Sequence, residues 1–459
     1  MDILSSPAAQ RLMALAGASG LLLAAVLMPE QMVVLMPLLV LLLAALALYQ
    51  FPVAFAAAMV LAYGLALDIQ LDLLTKGGGG GATAALGAAV VKVVPFALTA
   101  TLVIRYGISS AVNWPFLAFA AIAALSIAIL PIGRVVGPAE MVRSFIGSTA
   151  PFVLGFALAP RRVWNALCRG AALVPLISTV GGLLLHLVGL YSAFDNFGRF
   201  QGLHSPPFLA GFCVTAVFAA TLEYLRGFRK RWLLLTAVNL AILLATQARA
   251  PTAAVTLFLV LVFALSGPRV FPLRRKVDVV MGGMVPGVIL LGPAVLYAME
   301  RFTSSGGNFS GRDIIWPLFL DAIESRPLFG FGLGAGKLIV DPEDPRIRYL
   351  GSNAAHNEYL RLSVDAGIVG CAAIFLAIIA WIWGGTRRAP PADRLVLRAG
   401  LAAALLHSAF DNTLIASTAV MQFTFFAAAL ARVRQEAAAA GTGAGRHRHG
   451  SGHAAFARG

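Results

Sequence analysis

Fourteen apolar runs of near-membrane length dominate the chain and leave little room for any other fold. They fall near 11–28, 31–50, 52–68, 84–104, 110–131, 143–160, 164–190, 206–224, 231–247, 251–267, 278–299, 358–384, 395–412 and 414–433. A helix crossing the hydrocarbon core needs about 20 predominantly apolar residues. Merging a pair, or reading a short run as re-entrant, lowers the number to about 12 and leaves both termini on one side. Composition agrees: 59% of residues are hydrophobic and 12% charged, with a mean hydropathy of +0.85. Soluble domains carry about 25% charged residues. The expected fold class is therefore an all-α polytopic membrane protein with about 12–14 transmembrane helices. The three cysteines, Cys168, Cys213 and Cys371, lie in or beside apolar runs, which argues against a disulfide framework. No small-residue cleavage site ends the run after Arg11, so it is read as a retained helix.

Charge sets the sides. One set of alternate loops holds sixteen basic residues: Arg105; Arg161, Arg162 and Arg169; Arg226, Arg229, Lys230 and Arg231; Arg269, Arg274, Arg275 and Lys276; Arg387, Arg388, Arg394 and Arg398. The short loops opposite hold five: Lys76, Arg134, Arg143, Arg199 and Arg249. The positive-inside rule places the first set and both termini in the cytoplasm. It also accounts for the net charge of +15 without nucleic acid as a partner. Arg199, His204, Arg249, Arg312 and His356 then face one outer compartment, each beside a helix end. An Arg at the membrane boundary, as in TQARAPT around Arg249, is costly unless it has a partner or snorkels to lipid phosphates. Domain boundaries follow: N-terminal helices over 1–190, central helices over 191–299, an outer loop over 300–357, C-terminal helices over 358–433 and an Ala/Gly-rich tail over 434–459, expected to be disordered.

Ser352 to Gly370 is the most pointed stretch. At 3.6 residues per turn His356, Leu360, Ser363, Gly367 and Gly370 share one face, polar at one end and small at the other. The expected structure is a membrane helix with an imidazole at its mouth and a small-residue stripe, Gly367 and Gly370, for close approach of another helix. The alternative is that His356 merely caps the helix. His407, Asp411 and Asn412, near the outer end of a later helix, could support such a site. Within the outer loop, Ile314, Ile315, Leu318, Phe319, Ala322 and Ile323 are spaced for an amphipathic helix of about four turns on the membrane surface. It would start around Ser310, Gly311 and Asp313 and end at Arg326-Pro327. Arg312 falls in its first turn, where a cation opposes the helix dipole unless an anion sits there. Gly330, Gly332, Gly334 and Gly336 lack the βαβ setting of a dinucleotide fingerprint and are read as tight turns near a ligand. Asp341, Glu343 and Asp344 are split by prolines, so no metal site and no cofactor are expected.

These pieces resemble the O-antigen ligase and polymerase family of bacterial envelope glycosyltransferases. The resemblance rests on His356-Asn357, nine residues, then Gly367-x-x-Gly370, preceded by Gly311-Arg312, Trp316 and Arg326-Pro327-Leu328-Phe329-Gly330-x-Gly332. Gln247-Ala248-Arg249-Ala250 is similar to the family's Ser-Arg-Gly stretch, with Gln-Ala in place of the serine. Arg199, Gly202, His204 and Pro206 are similar to its Arg-x-x-Gly…His-Pro-Asn stretch, with Pro207 in place of the Asn. The likeness spans about 195–430, and the first 190 residues match in hydropathy only. It implies transfer of a glycan from an undecaprenyl diphosphate carrier to an acceptor hydroxyl on the periplasmic face of the bacterial inner membrane. The acceptor is a lipid A–core sugar in a ligase and a second carrier-linked repeat in a polymerase. His356, Arg312 and Arg249 are then the candidate catalytic residues. Arg199, His204 and Asn357 are the candidate contacts to diphosphate or acceptor. Gly367, Gly370, His407 and Asp411 are supporting residues. Guanidinium forks suit a diphosphate and keep their charge. His356 either takes the acceptor proton, the preferred role, or hydrogen-bonds the diphosphate. A polysaccharide or lipid transporter is the rival class; it calls for charged or broken helices near the bilayer midplane, whereas the polar residues here crowd one end.

Overall fold

A computed structural model describes residues 49–67, 82–129, 136–268, 270–278, 280–282, 312–341 and 354–450. The expected helices near 11–28 and 31–50, most of that near 278–299, the residues Glu343 and Asp344, and the last part of the tail lie outside the described residues. The fold is all-α; among the described residues the only β features are two isolated bridges, Ile108 to Ala157 and Phe194 to Phe200.

The helices are α1 (Pro52–Gly64), α2 (Ala82–Tyr106), α3 (Trp114–Ile129), α4 (Pro138–Thr149), α5 (Arg161–Ala171), α6 (Val174–Leu187), α7 (Pro206–Gly227), α8 (Lys230–Ala245), α9 (Arg249–Leu265), α10 (Arg312–Ser325), α11 (Glu358–Gly385), α12 (Pro391–Ser408) and α13 (Ser417–Gly450). The centre is α7. It is apolar all round, so it can be buried on every side. Every residue from Leu209 to Leu222 is buried. Around it stand α5, α6, α8, α9, α12 and α13. Pro206 and Pro207 open it, where their missing N–H groups cost nothing, and Phe228 in a left-handed conformation closes it.

Among the described residues two helices, α7 and α11, are long and apolar enough to cross a membrane, and α5 with α6 make a third if their 52° bend is one span. Several shorter apolar helices, α1, α3 and α9 among them, lie alongside. Leu233, Leu234 and Leu244 on α8, and Ile368, Val369 and Leu376 on α11, point outward, as lipid-facing residues do. Three expectations change. The run at 164–190 is not one straight helix, because the Pro175 ring cannot follow the Ala171 carbonyl in α geometry; Asn239 of α8 donates to the freed Ala172 carbonyl at 3.1 Å. The run at 143–160 becomes α4 and a 3₁₀ turn, Val153–Phe156. The tail, expected to be disordered from 434, continues α13 to Gly450, consistent with the alanines that follow Glu436.

The helix α11 is also not continuous. Gly367 breaks it with φ of 69° and ψ of 175°. The freed groups at the break are taken by the incoming loop: Phe331 N–H donates to Val364 at 2.9 Å, Gly332 N–H to Asp365 at 2.9 Å, and Ile368 N–H to Pro327 at 2.8 Å. A Cβ at Gly367 would lie 2.1 Å from the Leu328 carbonyl oxygen, and one at Gly330 would lie 2.4 Å from that of Val364. The expected stripe for another helix is thus half right. Gly370 does sit beside Ile122 of α3, but Gly367 receives the glycine-rich loop. Gly330, Gly332 and Gly334 all have positive φ, and the first two turn the chain onto α11 rather than toward a ligand.

Candidate active site

The expected amphipathic helix forms as α10, starting at Arg312 and stopping before Arg326-Pro327. Its Ile315 and Phe319 are buried against protein, so it packs on α11 rather than lying only on a membrane surface. Trp316 Nε1 donates to the Ala355 carbonyl at 2.8 Å, which docks α10 one residue from His356. Arg312 Nη2 donates to the Phe410 carbonyl at 2.9 Å, while its Nε is buried without a hydrogen-bond partner.

Asp411 is the hub. His356 Nδ1 stands 3.6 Å from its Oδ1, and His407 Nε2 stands 3.8 Å from its Oδ2. Burial pushes the Asp411 carboxyl upward, but the His356 and His407 imidazoles and the Asn412 N–H outweigh it, and the group stays below the usual aspartate range. The charge of Asp411 also reaches Arg312, partly opposing the effect of that guanidinium's burial. His356 has φ of 45°, an uncommon left-handed conformation for a residue with a side chain, and it holds its ring about two-fifths exposed. So Arg312, His356, His407 and Asp411, four residues spread over a hundred positions, meet in one place.

His356 is not the helix cap. Asn357 is: its Oδ1 accepts from the N–H groups of Tyr359 at 3.0 Å and Leu360 at 3.2 Å. This satisfies two orphan donors at the start of α11 and turns the Asn357 side chain away from a binding role.

Arg249 opens α9, behind the left-handed Gln247. Chain tracing puts it at the same end as His356. The Phe200 N–H donates to the Ala245 carbonyl at 3.1 Å, tying the end of α8 to the start of α7, and α9 then packs along α12, whose last turn holds His407. Arg249 lines an open groove of about 680 Å³ with Gln247, Thr252 and Thr256.

Two expected contacts are placed otherwise. His204 is buried inside the bundle, not at an outer mouth. Its Nδ1 shares a hydrogen bond with Ser178 Oγ at 2.8 Å, and the same oxygen accepts from Leu203 N–H at 3.0 Å. Burial pushes the His204 imidazole down to about 4, opposed only by its contact with the Tyr63 backbone, so it is neutral near pH 7. Arg199 is committed to Asp195, with Nη2 to Oδ2 at 2.7 Å, and stands over the Phe197 ring. Sequence reasoning missed Asp195, although an Asp four residues before an Arg is a pairing signal in helices, and the short loop here achieves the same contact.

Sequence reasoning also missed a buried triad in α11. Arg361 donates through Nε to Glu358 at 3.1 Å and through Nη1 to Asp365 at 2.8 Å, and its Nη2 meets Glu358 as well. All three side chains are inside the protein. Their i, i+3 and i+4 spacing was the available signal. Among the described residues no group of His, Cys, Asp and Glu is arranged to hold a metal ion.

Fold and site together define an all-α membrane protein with one polar cluster of Arg, His and Asp at one end of its bundle. A family model described as O-antigen ligase matches residues 232–375, so that stretch of the chain is similar to the O-antigen ligase family. The match includes Arg249, Arg312, His356, Asn357, Gly367 and Gly370 and stops short of His407 and Asp411. No curated protein matches the chain.

Proposed function

We propose that the protein is a glycosyltransferase. It moves a glycan from an undecaprenyl diphosphate carrier to an acceptor hydroxyl at the periplasmic face of the inner membrane, with a lipid A–core sugar as the preferred acceptor. The observation that carries this reading is the meeting of Arg312 and His356 at the turn holding Phe410 and Asp411. In the reaction the bond between the anomeric carbon and the diphosphate oxygen breaks, and its electron pair leaves with the diphosphate. The acceptor oxygen bonds to the same carbon and loses its proton to His356. Asp411, ionised at neutral pH, balances the imidazolium that results and holds the ring in place. Arg312 has an unused Nε to offer the leaving diphosphate, and fixed cations aimed at developing charge are an effective form of stabilisation. Arg249, at the same end, supplies the second fork. This chemistry calls for no metal. Arg312, His356, His407 and Asp411 gather at one end of the bundle rather than halfway along it, which is against the transporter reading.

The test is reconstitution in lipid with a carrier-linked glycan and, in separate reactions, a lipid A–core acceptor or a second carrier-linked repeat, with and without chelator. Transfer to the first acceptor, undiminished by chelator, is expected, and His356→Ala should slow it about 10²–10⁴-fold. Transfer only to the second acceptor makes the protein a polymerase. No transfer to either overturns the reading.

A further inference from the structure

The loop that seats on the α11 break continues to the 3₁₀ turn Ala335–Lys337, and there it is held a second time. Gly336 N–H donates to Asp365 Oδ1 at 2.7 Å, which joins the turn to the buried triad of α11. Lys337 Nζ then crosses to α4: it stands 2.7 Å from Glu140 Oε1 and 3.2 Å from Ser144 Oγ. Ser144 Oγ in turn lies 3.0 Å from the same Glu140 oxygen. A Cβ at Gly334 would lie 2.7 Å from Ser144 Oγ, so loop and helix touch closely here. Burial raises the Glu140 carboxyl, but Lys337 and Ser144 outweigh it and hold the group below its ordinary value. Lys337 falls in the 232–375 match, whereas α4, with Glu140 and Ser144, lies outside it.

We propose that Lys337, Glu140 and Ser144 form a latch whose task is to position Arg312 against His356. The inference rests on the glycosyltransferase reading. The residues that meet at the cluster come from both sides of the latched segment. Arg312 lies on α10, before it in sequence, and His356 follows it. The α10 helix is docked near its start by Trp316 and Arg312, and at its other end, Ser325, the chain runs directly into the segment 326–337. The break at Gly367 fastens the middle of that segment, and the latch fastens its far end to a helix from the N-terminal half of the chain. Lys337 and Glu140 are both partly exposed, with side chains 34% and 22% accessible. Such a pair adds little to global stability, so a large effect on turnover would have to come from geometry.

The experiment compares Lys337→Met, Glu140→Gln and the charge-swapped double variant Glu140→Lys/Lys337→Glu with the unmodified protein in lipid. Hydrogen exchange over 326–341, melting temperature, and kcat and KM for the carrier-linked donor are measured on each. The single variants should exchange faster over 326–341 and keep their melting temperature. Their kcat should fall about tenfold to a hundredfold with little change in KM, as loss of alignment does. The double variant should recover both exchange protection and kcat. Exchange at the unmodified rate in the single variants overturns the latch. Loss of activity that tracks a lower melting temperature, or a double variant no better than the singles, overturns the positioning role. If the unmodified protein transfers no glycan, the functional reading fails, and the exchange data still decide whether the latch exists.

Discussion

Two charge clusters at opposite ends of the bundle are built in opposite ways. At the end where α7 stops and α12 starts, guanidinium groups meet carboxylates directly. Arg226 pairs with Asp393 at 2.6 Å and with Glu436 at 3.0 Å, Arg169 pairs with Glu223 at 3.0 Å, and Arg432 and Arg161 meet Glu223 and Glu436. At the other end, where α12 stops, Arg312 donates to a backbone carbonyl and leaves its Nε buried without a partner. Asp411, whose charge reaches it, stands between two imidazoles. The 18 residues of α12 separate these ends by about 27 Å. Ion pairs that are closed within the protein tie helices together. A guanidinium gathered with imidazoles, as Arg312 is, and with a buried Nε left over, has capacity for an anion. The first arrangement serves assembly and the second serves a ligand.

The largest effect that would break this contrast concerns Arg312 and Arg249. If a diphosphate occupies the His356 end, lysine keeps the charge at each position but loses the two-pronged fork. Arg312→Lys and Arg249→Lys should each lower kcat about 10²–10³-fold, the usual result of removing one aligned donor, with normal yield of folded protein. The measurement is turnover per folded molecule in the reconstituted assay. Lysine variants with near-normal turnover would mean that general positive charge is enough there, and the two ends would differ less than the geometry implies.

How much of this could be read in advance differs from residue to residue. Apolar periodicity located most helices of the described residues, and α10 was bounded correctly because Arg326-Pro327 is a local stop signal. The names Arg312, His356, His407 and Asp411 were available, but their meeting was not, since Asp411 lies 55 positions after His356 and only the packing of α12 and α10 on α11 joins them. The break at Gly367 was hidden because a glycine at helical spacing reads equally as a packing stripe. His204 looked outward by charge topology, yet Ser178 and the core around Phe212 keep it inside. Local rules that were available went unused at Asn357 and at Glu358, Arg361 and Asp365.

A second effect sharpens the comparison from the opposite end. Glu223 is buried and holds both Arg169 and Arg432, and the Arg432 side chain is itself buried. Glu223→Gln leaves that cation without its counter-charge, which costs about 3–5 kcal/mol when a buried pair is broken from one side. The melting temperature in detergent should drop clearly while the surviving folded fraction turns over at the normal rate. A variant that melts normally but loses turnover would place chemistry at the ion-paired end and undo the division of labour.

The smallest effect decides what stands next to His356. Asn357 was a candidate substrate contact in the sequence, whereas the structure has its Oδ1 engaged with two N–H groups of α11. Removing an N-cap of this kind costs about 1 kcal/mol, so Asn357→Ala should melt slightly lower. Asn357→Ser and Asn357→Asp both keep a capping oxygen and should restore the melting temperature. Turnover should follow capping: reduced mildly in the Ala variant through looser placement of His356, and close to normal with Ser or Asp. If Asn357→Ser caps the helix, melts normally and still loses turnover strongly, the side-chain amide itself reaches substrate. The active cluster would then extend from Asp411 across the mouth of α11, and the cap would be a contact that substrate displaces.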